Sequence, residues 1–357
     1  MDKHVVIIGA GLFGLSTAII LAEKGIKVTV LEKSNNFMKG ASLVNQNRIH
    51  YGYHYPRSLE TGKESLCSMQ SFLDYYGDCV VPSYKNYYAI SKYNSKITSD
   101  DFVKFCKEIN ISLKESWPQK NILNKNMIDQ VWEVYEPSFD YNILRLNISK
   151  RLSKLKNITL IRNAKISSIN KTNDSDIEVN FSNQIIKCNF LINASYASLK
   201  EILSMVNNNI QEAKFQLVAL PILRWKKPQS NFGITVMDGN FCSLIPKGNS
   251  KEEFILSHVK KSVIETQVCN SKPAFKPFYG NIEYDIINES KKYFPILSEM
   301  ECIDSWITTK MVLPNQKNND ARPSIVLEHE DNIFSIFSGK ITTCISSATE
   351  IYNKINK

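Results

Sequence analysis

Three observations predict an α/β fold, α+β over the chain as a whole. A buried strand, a glycine turn, a helix and a second strand follow one another between His4 and Ser34. Residues 206–305 carry long apolar and alternating runs with a hairpin signal, which predicts a mainly antiparallel sheet. Near its end the chain returns to a buried strand, Ile333–Phe337, and a helix, Cys344–Ile355. At 357 residues the chain exceeds most single cores, so two domains are expected. No linker or repeat separates them, so they interleave: residues 1–80, 141–205 and 306–357 form the first domain, and 81–140 with 206–305 the second.

The first unit is the most explicit. Val5–Ile8 suits a strand covered on both faces. Gly9-Ala10-Gly11-Leu12-Phe13-Gly14 follows at once, and Leu15, Ala18, Ile19 and Ala22 make one apolar helix face. Gly25 stops that helix, Ile26–Leu31 forms the second strand, and Glu32 stands at its end. This is the Rossmann-like dinucleotide fingerprint in register. Gly9 permits the tight turn, Gly11 lets backbone approach a pyrophosphate, and Gly14 lets the helix pack on the sheet. The helix start offers N–H groups and a positive dipole end, and Glu32, about 20 residues on, accepts from ribose hydroxyls. It would repel a 2′-phosphate, which disfavours NADP.

Residues 35–60 mix small, polar and aromatic residues and read as an extended loop; Ser65–Tyr76 reads as a helix and Val80–Ser91 as a strand. Asp100–Glu108 reads as a helix capped by Ser99 or Asp100. Residues 117–140, with Pro118 and Pro137, read as irregular. Leu144, Ile148, Leu152 and Leu155 share a face of a helix over Tyr141–Leu155. Five short strands follow: Ile158–Arg162, Lys165–Asn170, Ile177–Phe181, Gln184–Cys188 and Phe190–Asn193, with a turn at Ser182-Asn183. Phe215–Trp225, Phe232–Val236, Phe241–Ile245 and Phe254–Val259 read as strands, with a hairpin at Asp238-Gly239. Residues 262–305 read as loops with a helix near Glu289–Phe294.

Composition narrows the function classes. The net charge is +9, but the lysines are scattered without interleaved aromatics, so a nucleic-acid partner is not expected. Eight cysteines form no CxxC pair and no histidine stands at finger spacing, so no metal site is expected and the thiols read as reduced. The first strand begins at residue 4 or 5, which leaves no room for a signal peptide, and no stretch reads as a membrane span. A cytoplasmic protein without stable membrane insertion is expected.

Ala41–Arg57 reads ASLVNQNRIHYGYHYPR. Its Ala41, Ser42, Asn45, Ile49, His50, Gly52, Tyr55 and Pro56, with the first unit, resemble FAD-dependent oxidoreductases of the D-amino-acid oxidase superfamily. The nearest branch holds L-2-hydroxyglutarate oxidases and FAD-linked glycerol-3-phosphate dehydrogenases. The segment SGKITT, Ser338 to Thr343, resembles GGKLTT of the latter enzymes, and Asn193-Ala194 sits in the family's order. The resemblance implies FAD as cofactor and a small-molecule substrate. It implies Gly9, Gly11, Leu12, Phe13, Gly14, Glu32, Lys33, Ser42, Ile166 and Ala194 along the cofactor. Ile49, Gly52, Gly339, Lys340, Ile341 and Thr342 would lie at the flavin. Ser195, Ser338 and Arg48 depart from the pattern; the first two are small-for-small, and Arg48 points to a changed substrate.

His50 is the candidate proton acceptor, since an unperturbed imidazole titrates near neutrality. Arg48, His54 and Tyr55 are pocket candidates, and Lys310 or Arg322 would hold a substrate anion unless engaged in surface ion pairs. Lys340 either reinforces the negative charge of reduced flavin or faces solvent. His4, His258 and His329 read as structural. The expected activity is hydride transfer from an amine, amino acid, 2-hydroxy acid or polyol phosphate to the flavin. The alternative is a flavin-dependent sugar mutase or a non-redox flavoprotein. Sugar mutases share the GAGLFG start, but their double glycine after Glu-Lys is absent here, where Ser34-Asn35-Asn36 follows. An aromatic monooxygenase is disfavoured because the last strand ends in SGKITT rather than in a Gly-Asp motif.

Overall fold

The computed structural model describes residues 3–81, 84–172, 176–206, 213–226, 231–276, 280–312, 324–330 and 332–357. Two large sheets organise it. The first has six strands in the order Ile325–Glu328, Ile333–Phe337, Phe190–Asn193, His4–Ile8, Lys27–Glu32 and Ile158–Arg162. Five run parallel, with Val5 opposite both Phe190 and Val28; Ile325–Glu328 is antiparallel to Ile333–Phe337.

Alternation explains why His4–Ile8 is apolar almost throughout. Val5 and Ile7 pack with the helices Leu12–Glu23, Leu59–Tyr76, Tyr141–Lys154 and Cys344–Ile355. Val6 and Ile8 pack, on the other face, with Ile169, Ile177, Val179 and Phe181. Those residues belong to a three-stranded antiparallel sheet, Ile166–Lys171, Ile177–Phe181 and Gln184–Cys188. The five strands expected at 158–193 are therefore all present, but the outer two join the parallel sheet.

The second sheet has nine strands, mainly antiparallel, with Phe232–Met237 running parallel to Lys85–Ser91 at its centre. Tyr87 and Ala89 face a core that includes Ile286 of the helix Ile282–Ser290. Tyr88 and Ile90 face Phe102 and Phe105 of the helix Ser99–Glu108, and also Tyr53 of the long loop.

Several boundaries differ from the sequence expectation. The helix expected from Ser65 begins at Leu59, because the Ser58 side chain accepts the Thr61 N–H. Thr98, not Ser99 or Asp100, caps the next helix, in a reciprocal capping box with Asp101. The span Val80–Ser91 holds two strands, Val80–Val81 and Lys85–Ser91. Residues 117–140, expected to be irregular, supply the strands Ile128–Val134 and Ser138–Phe139. The late helix covers Ile282–Ser290 rather than Glu289–Phe294. Val263–Cys269, read as loop, is a strand at the sheet edge, and its exposure on both faces leaves no buried alternation to read. Glu301–Val312 pairs along its length with Ala213–Arg224, which places residues 306–312 in the nine-stranded sheet rather than with the first domain.

Candidate functional site

The turn after His4–Ile8 shows why each glycine is there. Gly9 has φ +104°, and a Cβ on it would lie 2.7 Å from the Ala194 carbonyl oxygen. A Cβ on Gly14 would lie 2.0 Å from the Gly9 carbonyl oxygen. Both are required by the chain's own packing. Gly11 is different: its backbone is extended (φ −74°, ψ 179°), and a Cβ would meet only Ser42 Oγ, at 3.4 Å. Nothing in the polypeptide demands glycine there. Its missing side chain leaves a cradle at the N-terminus of the helix Leu12–Glu23, where free N–H groups and the dipole favour phosphate. The residues thus fit a dinucleotide.

Other expected cofactor residues gather on this turn. The Leu12 N–H donates to Ser42 Oγ at 2.9 Å, which hooks the long loop onto the turn; Phe13 is half-buried beside Leu12. Glu32 accepts from the Ala10 N–H at 2.8 Å and the Ser34 N–H at 2.9 Å, and keeps lone pairs for a ribose. Lys33 Nζ donates to Ser198 Oγ at 3.1 Å. The Ala164 N–H donates to the Glu32 carbonyl, which brings the strand starting at Ile166 alongside, and the Ala194 N–H donates to the Ile8 carbonyl. Ser195, a departure from the family pattern, bonds locally to Asn193 Oδ1.

From Ser42 the loop crosses to the nine-stranded sheet. The Ile49 N–H donates to the Pro137 carbonyl and the Phe139 N–H to the Asn47 carbonyl, so residues 47–49 form a strap against 137–139. Gly52, with φ +103°, lets the loop pass the Gly62 carbonyl oxygen, 3.1 Å from where a Cβ would stand. Arg48 is 5% exposed and donates to Tyr88 Oη at 3.2 Å and to Thr235 Oγ1. Tyr88 donates to Glu136 Oε2, and Glu136 Oε1 lies 2.9 Å from His50 Nδ1. His50 keeps 23% of its side chain exposed while that of Glu136 is fully buried. His54 and Tyr55 complete an aromatic group, their rings 5.4 Å and 5.8 Å from that of His50.

The C-terminal turn closes on the same group. The Gly339 N–H donates to Ser324 Oγ at 2.9 Å, Ile341 packs on the first core, and Thr342 Oγ1 lies 3.1 Å from Ser68 Oγ. Lys340 neither faces solvent nor stands as a free charge. Its ammonium is buried, ion-paired with Glu64 at 2.8 Å, and 4.9 Å from the centre of the Tyr55 ring. Burial lowers its affinity for the proton and Glu64 opposes that.

Lys310 lies on Glu301–Val312, in register with Gln216. Arg322 lies outside the described residues. Sequence reasoning missed Glu136, Tyr88 and Thr235, and also Arg57, which pairs with Asp238 at the hairpin. Tyr88 lies in an alternating strand, which marks it as facing one side of a sheet. Glu136, before a proline in a stretch without periodicity, carries no local signal. Burial lowers the basicity of His4, His258 and His329, in keeping with structural roles. Among the described residues no group of three or more His, Cys, Asp or Glu can hold a metal, and no helix is long and apolar enough to cross a membrane.

Residues 4–122 match the family model described as DAO, FAD dependent oxidoreductase. The chain is 23% identical over 378 residues to the FAD-dependent monooxygenase kojA of Aspergillus flavus, covering 99% of this chain and 86% of that protein. It is 23% identical over 386 residues to the aerobic glycerol-3-phosphate dehydrogenase of Staphylococcus saprophyticus, covering 100% and 67%. In fold it is similar to glycine oxidase from Geobacillus kaustophilus, with a TM-score of 0.79, 12% identity, and 99% and 95% of the two chains covered. It is also similar to the L-α-glycerophosphate oxidase of Mycoplasma pneumoniae solved with FAD bound, with a TM-score of 0.76, 15% identity, and 99% and 95% covered.

Proposed function

We propose that the chain, whose residues 4–122 match the DAO FAD dependent oxidoreductase model, binds FAD and oxidises a small amine, amino acid, 2-hydroxy acid or polyol phosphate at the His50 group. The observation that carries this reading is the hook between Leu12 and Ser42. It ties the phosphate-type turn to the loop bearing His50, so that cofactor and proton acceptor are set by one continuous segment.

In this reading the six-stranded sheet with its helices holds the cofactor and the nine-stranded sheet the substrate. Gly9 to Gly14 and Ser42 receive the pyrophosphate, and Glu32, Lys33, Ile166 and Ala194 the nucleoside half. Ile49, Gly52 and Gly339 to Thr342 bound the flavin. FAD held there would supply the hydride acceptor for the substrate carbon. His50 takes the proton of a substrate hydroxyl, while Arg48, Tyr55 and His54 orient the rest and limit water. All eight cysteines are free thiols, which supports a cytoplasmic location.

The test is direct. The purified protein should be yellow and release FAD on denaturation. Glycine, L-proline, glycerol 3-phosphate and 2-hydroxyglutarate are then offered anaerobically while the flavin band is watched for bleaching. Protein that is colourless and does not bind added FAD overturns the reading.

A further inference from the structure

We propose that Glu136 is the positioning residue of this site: it holds His50 in a single tautomer, with the proton on Nδ1 and the lone pair on Nε2. That His50 receives a substrate proton rests on the preceding reading; that Glu136 fixes the ring stands on the hydrogen-bond directions themselves.

Those directions follow from one end of the chain of contacts. A guanidinium has donors only, so Arg48 donates to the Tyr88 oxygen. Burial pushes the Tyr88 phenol well above its usual range, so it keeps its proton and gives it to Glu136 Oε2. Burial alone would raise the Glu136 carboxyl; the hydrogen bond from His50, the Arg48 charge and the Tyr88 hydroxyl hold it down, and His50 adds its own charge only when its ring is protonated. An ionised carboxylate only accepts. The hydrogen shared with His50 at 2.9 Å therefore belongs to Nδ1. Nε2 has no hydrogen-bond partner among the described residues, and the His50 side chain as a whole is partly exposed.

The arrangement does two things for a proton acceptor. It removes the tautomer in which Nε2 already carries hydrogen and cannot accept. It also places a buried carboxylate where positive charge arrives once Nε2 is protonated, without movement of the ring. The backbone supports this, since the Glu136 carbonyl accepts from Asn86 Nδ2 at 3.0 Å and Tyr84 Oη at 3.3 Å. Residue 136 is thus fixed from both ends.

The experiment is nitrogen–proton correlation NMR of the imidazoles in FAD-loaded protein. The chain has 5 histidines, and the His50 signals are those lost in His50→Ala. Wild-type protein should show His50 as the Nδ1–H form. Glu136→Gln offers one oxygen to two donors and should give a mixture of tautomers, with flavin absorbance retained. Tyr88→Phe should keep the Nδ1–H form. An Nε2–H ring in wild type, or an unaltered tautomer in folded, yellow Glu136→Gln, overturns the proposal; should Glu136→Gln not fold, the wild-type tautomer decides.

Kinetics separate this from the reading beneath it, using glycerol 3-phosphate or 2-hydroxyglutarate, whichever bleaches the flavin. Glu136→Gln should slow that bleaching about 100-fold or more. Slow bleaching in His50→Ala with normal bleaching in Glu136→Gln removes Glu136 alone. Normal bleaching in His50→Ala removes His50 as acceptor, and the NMR result still judges the role of Glu136.

Discussion

Gly11 and Gly14 stand three positions apart and answer to different demands, and substitution separates them. Gly14→Ala forces a Cβ to 2.0 Å from a backbone oxygen, so the variant should fail to accumulate as folded protein. At Gly11→Val the Cβ meets only the Ser42 hydroxyl, and the backbone conformation is an ordinary one. It should keep the melting temperature of the cofactor-free wild type and lose FAD, as read by flavin absorbance after dialysis against excess FAD. Retention of stoichiometric FAD by Gly11→Val would mean that the pyrophosphate passes elsewhere. At His50, truncation to alanine should leave FAD bound and slow flavin reduction by a hydroxyl-bearing substrate at least about 100-fold, the lower end for a lost general base. Stopped-flow bleaching measures this; an unchanged rate with such a substrate retires His50 as the base.

At the scale of elements, caps and crossings matter more than propensity. The helix Ser99–Glu108 covers Tyr88 and Ile90 from the far side of the sheet, with Phe102 and Phe105 in that core. Its start depends on the Thr98–Asp101 box. Thr98→Ala should lower stability by about 1 kcal/mol, read as a fall in denaturation midpoint without loss of FAD. An equal loss of FAD would show that this helix acts on the cofactor side as well. The strap between 47–49 and 137–139 is the second decisive element. Neither side of it has enough length or alternation to announce itself; Arg48 meets Ser138 in a single bridge, and Ser138–Phe139 pairs on with Val80–Val81.

For the whole molecule, three rings set a pH dependence. His4, His258 and His329 are less basic than the ordinary 6.5 because burial disfavours their charged forms. The unfolded chain therefore binds more protons than the native one as pH falls below that value, and stability declines with it. Glu136, held below its ordinary 4.5, adds a second loss at more acid pH, where the native carboxylate must be protonated. The melting temperature of the FAD-loaded protein should fall steadily from about pH 7 to about pH 5 and more steeply below about pH 4. A flat profile over the first range would contradict the burial of these rings.

The sequence by itself determined the parallel sheet and the glycine turn of this protein. Val5–Ile8, the glycines, Glu32 and the strands of 158–193 are local patterns, because a strand covered on both faces must be apolar throughout and a turn that packs backbone on backbone must be glycine. His50 was legible as a titrating residue in an aromatic loop. What the tertiary structure alone decided is what surrounds it. Glu136 lies 86 residues from His50, and Thr235 lies 187 from Arg48. Periodicity records which side of an element is buried and not what is buried against it, so a carboxylate in an aperiodic stretch becomes His50's partner only once the loop has crossed between the two sheets and the strap has closed.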